Sequence, residues 1–174
     1  MSATKKNLTC ACLVTVGLIL GYIESTFFPV IPLYGLKIGF SNLAVLVALF
    51  AFGAKYALGV GLLKAVLSGF LFSGAMSIFY GAVGISFAVL GMCMLMKTGK
   101  CSILGISVLG SSLFQVGQIA VACCFLQSSA PLYYLSYLLI GSVPCGLLCG
   151  GIAWLIGRKT RLLKEFIYEK KDEC

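Results

Sequence analysis

Apolar runs long enough to cross a membrane recur from one end of this 174-residue chain to the other, and they leave few folds open. At about 1.5 Å rise per residue, some 18 to 20 apolar residues in a helix cover a hydrocarbon core about 30 Å thick. The chain is 60% hydrophobic and only 10% charged, whereas a soluble domain carries about 25% charge, so an ordinary soluble domain is excluded. Barrel strands of about ten residues would alternate with period 2; here the runs are continuous and end at Lys, Gly or Pro. The expected class is all-α: a polytopic bundle of six transmembrane helices. The expected spans are about Leu8–Phe28, Leu36–Gly53, Tyr56–Ser73, Ala75–Met96, Ser102–Leu126 and Leu132–Ile156. They form one membrane domain over residues 1–174, with 157–174 a basic tail, and no internal repeat is visible. The first run follows Lys5 and Lys6, has no small-residue cleavage site and carries Glu24, so it is expected to be a retained span.

All thirteen cations except Lys37 and Lys64 fall on the side of the termini in this arrangement. By the positive-inside rule both termini are expected in the cytoplasm of a plasma-membrane protein. Attraction to anionic lipid accounts for the basic tail, and no nucleic-acid partner is expected. The sequence has no His and no Cys-x-x-Cys, so neither a metal site nor a cofactor is expected, and the cysteines inside spans read as small apolar packing residues.

Against this background Tyr22 to Asn42 stands out. It holds Glu24, the turn Pro29-Val30-Ile31-Pro32, then Gly35, Lys37, Gly39 and Asn42. An ionised side chain at depth costs roughly 2.5 to 3.5 kcal/mol on insertion scales, so Glu24, and Lys64 near the middle of the third span, mark a functional site. Two readings stay open for them: an internal ion pair, or contacts to a ligand. The apolar loop from Pro29 to Gly35 is expected to fold over the bundle as a lid. In the fifth span Ser111, Ser112, Gln115 and Gln118 make an inward polar stripe, since amides in lipid need partners. Pro144 in the sixth span permits a kink. Gly17 and Gly21 form a small-xxx-small ridge, suited either to packing inside the chain or to docking a partner.

The segment Tyr22-Ile23-Glu24-Ser25, the proline turn, Gly35-x-Lys37-x-Gly39-x-x-Asn42 and Val116-Gly117-Gln118 together resemble the Gx transporter family, also labelled heptaprenyl diphosphate synthase component I. That family looks related to the S components of energy-coupling factor transporters, six-helix proteins that capture vitamin-like substrates from outside. Where the family pattern has a His-Asn pair and an Arg, this chain has Phe114-Gln115 and Lys64; Lys keeps the charge without the bidentate fork. The resemblance implies a non-enzymatic capture subunit for a small anionic or zwitterionic molecule. Glu24 and Lys37 would hold the ligand near the mouth, Lys64 and Gln118 from below, and Asn42 and Gln115 by hydrogen bonds. The chain has no phosphate-binding loop, so a separate ATPase module, docked partly on Gly17 and Gly21, would supply energy. Two rivals remain: a non-catalytic accessory of isoprenoid, quinone or extracytoplasmic electron-transfer machinery, and a solitary proton-coupled carrier using Glu24. Catalysis of prenyl condensation would need carboxylates to hold magnesium, and the only Asp is Asp172.

Overall fold

The computed structural model describes residues 3–27, 39–98 and 101–159. Among these there are helices and no strands: α1 (Ala3–Phe27), α2 (Asn42–Phe52), α3 (Ala54–Ser68), α4 (Ala75–Thr98), α5 (Ile103–Leu126) and α6 (Pro131–Lys159). A π-helical turn, Gly69–Ser73, carries α3 onward to Gly74. Helices follow from the composition, because a backbone in lipid must bond to itself. Five stretches, Thr4–Thr26, Ala54–Ser73, Ala75–Thr98, Ile103–Leu126 and Pro131–Gly157, are long and apolar enough to cross a membrane. The protein is a multi-pass membrane protein.

The expected second span is the exception. Its helix begins at Asn42 rather than Leu36 and has 11 residues, about 16 Å, or roughly half the hydrocarbon thickness. Ahead of it, Gly39 to Ser41 form a turn, with Asn42 N–H bonded to Gly39 O at 2.9 Å and Leu43 N–H to Phe40 O at 3.1 Å. Lys37, the proline turn and most of the tail lie outside the described residues.

Short α2 is the centre of the molecule. It touches α1, α3, α4 and α6, and Val45, Leu46, Ala48 and Leu49 on it are all 2% exposed or less. The wall on its far side is the α4–α5 seam, where the helices cross backbone to backbone. A Cβ on Gly117 would lie 2.8 Å from the Gly84 Cα, so only glycine fits there. That crossing turns Phe114, Gln115 and Gln118 of α5 inward, at 2%, 0% and 1% exposure. The opposite faces are apolar and outward, as lipid contact requires: Phe70, Leu90, Tyr133, Tyr137 and Ile140 are all exposed. Trp154 and Tyr133 are exposed at opposite ends of α6, where interfacial anchors sit. The α6 helix runs through Pro144 without a break.

The Gly17–Gly21 ridge packs against neighbours inside the chain, one of the two uses its spacing allows. A Cβ on Gly17 would meet Lys64 Cδ at 2.9 Å and Ala44 Cβ at 3.1 Å; one on Gly21 would meet Ser41 Cβ at 3.6 Å. Small residues at this spacing admit any close helix, and here α2 and α3 take the place.

Candidate functional site

The site is built on the three residues that precede α2. Backbone that leaves helical bonding inside a bundle has polar groups to satisfy, and bulk water is not there to do it. Charged side chains from two other helices take that role. Glu24, one turn before the end of α1 and 2% exposed, accepts the Gly39 N–H on Oε1 at 2.6 Å. Lys64, ten residues into α3 and 5% exposed, donates from Nζ to Ser41 O and to Ser41 Oγ, each at 3.0 Å. Ser41 is the N-cap of α2, yet its hydroxyl does not cap the helix; it faces the ammonium instead. From the third side the Cys149 thiol of α6 points to Phe40 O at 3.7 Å.

An acidic and a basic side chain are thus buried against one strip of backbone, each hydrogen-bonded to the turn at residues two apart. Burial of either charge is tolerable only with such partners. The aliphatic stem of Lys64 lies in the space that Gly17 leaves open. Gly39 has φ +116°, a conformation that favours glycine, and a Cβ there would also come within 3.3 Å of Asn42 Nδ2.

Beside the turn is a cavity of about 20 Å³, lined on its polar side by Ser41, Lys64, Ser68, Ser77 and Gln118 and on its apolar side by Ile85 and Phe114 among others. That is room for about one water molecule, far less than an organic ligand needs. The turn occupies the space between the charges, so the site as seen is closed.

Of the residues expected to bind ligand, Glu24 and Lys64 meet at the turn, and Gln118 faces Lys64 across the cavity. Gln115 is fully buried on the same helix but does not line that cavity. Asn42 does not line it either and borders a second cavity, with Met92, Ser107, Ser111 and Cys149. The sequence reading missed Ser41, Ser77 and Cys149. Ser41 could have been suspected from its place directly before Asn42, and Cys149 from its four-residue spacing to Cys145, which puts both on one helix face.

The lower part of the α5 stripe has a different use. Ser107 Oγ donates to Gly146 O at 2.7 Å, and the Ser112 and Ser142 hydroxyls are 3.1 Å apart, so these residues fasten α5 to α6.

The sequence profile of heptaprenyl diphosphate synthase component I matches residues 13–156, the whole bundle from the middle of α1 almost to the end of α6. The chain belongs to that family. As a component I protein it carries a name that implies a partner component. No curated protein and no solved structure matches the chain. The matched span includes every described residue of the component I site, from Gly17 through Glu24, Ser41 and Lys64 to Gln118 and Cys149.

Proposed function

We propose that this component I protein is a membrane capture subunit for a small anionic or zwitterionic molecule, built in the manner of the S components of energy-coupling factor transporters. The observation that carries the reading is the polar cavity inside an otherwise apolar bundle, with the Lys64 ammonium at its edge and Ser68, Ser77 and Gln118 around it. Capture would proceed by exchange. An incoming anionic group replaces Ser41 O and Oγ as the acceptors of Lys64, the turn moves aside, and Gln118 and the two serines bond the rest of the ligand. Glu24 keeps its hold on Gly39 or, when released, meets a cationic group of a zwitterion. In this reading Lys37 belongs to the mouth of the site, Gln115 supports Gln118 from one turn away, both termini are cytoplasmic in the plasma membrane, and a separate ATPase module supplies energy. The protein itself is not an enzyme.

The family name favours a second reading, a non-catalytic accessory of a prenyl diphosphate synthase. In that case the turn stays clamped and the cavity never opens.

The test is purification from the native membrane with mass spectrometry of any bound small molecule, in wild type, Lys64→Met and Glu24→Gln. Capture predicts a stoichiometric small molecule in wild type that is lost in Lys64→Met and reduced in Glu24→Gln. An empty wild-type protein, with thermal stability lowered in each single variant and recovered in the double, would refute capture and leave the accessory role.

A further inference from the structure

Asn42 is 8% exposed, and neither its amide oxygen nor its amide nitrogen has a hydrogen-bond partner in the protein. Buried amides in that condition are rare, because each group gives up its bonds to water on burial. The amide borders a cavity of about 10 Å³ between α2, α4, α5 and α6, walled by Met92, Ser107, Ser111 and Cys149. Ser107 has committed its proton to Gly146 O, so toward the cavity its oxygen can only accept. Asn42 offers both donors and an acceptor, Ser111 a hydroxyl that can play either part, and Cys149, whose proton is turned to Phe40 O, only a weak acceptor.

We infer that this cavity is a binding site for a single internal water molecule, held by Asn42 and by the α5 hydroxyls, which ties the first turn of α2 to α5. The size fits one water at the lower limit of what holds one and excludes organic ligands. The lining fits as well. A water needs two to four polar partners of mixed sense, and the cavity supplies them. A bare cation is the wrong occupant, because no carboxylate lines the cavity. The inference is independent of the capture reading, and it takes Asn42 out of the ligand's contacts: the residue positions α2 through a solvent molecule.

X-ray radiolytic footprinting tests it, since hydroxyl radicals formed from a trapped water oxidise the side chains beside it. The full chain in lipid nanodiscs is exposed to millisecond pulses and oxidation is read by mass spectrometry at Met92, which is 3% exposed and lines the cavity, and at Cys145, which is 2% exposed and does not. With each rate normalised to the intrinsic reactivity of its residue type, the water predicts oxidation of Met92 several-fold faster than of Cys145, a fall to the Cys145 level in Asn42→Leu, and retention in Asn42→Asp, which keeps two acceptors. Met92 labelling no faster than Cys145 in the wild-type protein overturns the inference even if the variants fail to fold, and labelling unchanged in a folded Asn42→Leu does so too.

Discussion

The two polar regions of the bundle use similar residue types to opposite ends. At the α5–α6 seam, Ser107 bonds a helix carbonyl and Ser112 meets Ser142, so hydroxyls are added to helices whose own backbone bonds are intact. At the Gly39–Ser41 turn there is no helix to add to: Glu24 and Lys64 supply bonds the backbone lacks. The seam can lose a hydroxyl and remain a pair of helices. The turn cannot lose a charge without leaving the opposite charge and several backbone groups buried with fewer bonds. The first arrangement fastens one helix to another; in the second, side chains supply the bonds of a backbone that has left the helix.

The largest effect is expected at Lys64. Lys64→Met removes both bonds to Ser41 and leaves Glu24 as a buried charge without its counter-charge, so a loss of about 3–5 kcal/mol is expected, read as a large fall in the thermal unfolding midpoint in detergent. A smaller loss, about 1–3 kcal/mol, is expected for Gly117→Ala, where the new methyl would lie 2.8 Å from backbone that has no side chain to move. Gly17→Ala probes the same kind of crowding at the turn. Its methyl would meet Lys64 Cδ at 2.9 Å, the middle of a flexible chain, so the expected stability loss is about 1 kcal/mol; ligand binding should suffer more, because the ammonium is displaced. Ser112→Ala should cost the least, about 0.6 kcal/mol, the average for a hydrogen bond between membrane helices, with bound ligand unchanged. If Ser112→Ala proved as damaging as Lys64→Met, the distinction between seam and turn would fail.

Much of this architecture can be read from the sequence because long apolar runs have few solutions in a bilayer. The ends of the five long helices fall within about five residues of the expected limits for that reason. The start of α2 cannot be read the same way. Leu36, Ile38 and Phe40 are as apolar as the helix that follows, and what stops the helix at Asn42 is a grip from Glu24 and Lys64, which lie 15 and 23 residues from their partners in the chain. The same limit hides the direction of Asn42: α2 is covered on most sides, so its apolar pattern has no exposed face from which to set a phase. Gly17 and Gly21 show a third case, since spacing announces a close neighbour without saying whether it belongs to the same chain. Glu24 and Lys64 stand out in the sequence because charge at depth is costly wherever it sits. Ser41, their shared meeting point with Gly39, has an ordinary side chain in an unusual place.

In the capture reading the turn must leave Lys64 before a ligand can enter, and a staple across the turn probes that step. A Cβ on Gly21 would lie 3.6 Å from Ser41 Cβ, within the separation of about 3.5–4.5 Å that a disulfide spans. In Gly21→Cys/Ser41→Cys, made in a background without the native cysteines, exchange of the copurifying small molecule is followed by native mass spectrometry before and after reduction. Capture gated by the turn predicts exchange slowed at least about tenfold in the oxidised protein and restored by dithiothreitol. Equal exchange in the oxidised and reduced forms, with the disulfide verified by peptide mapping, would contradict it.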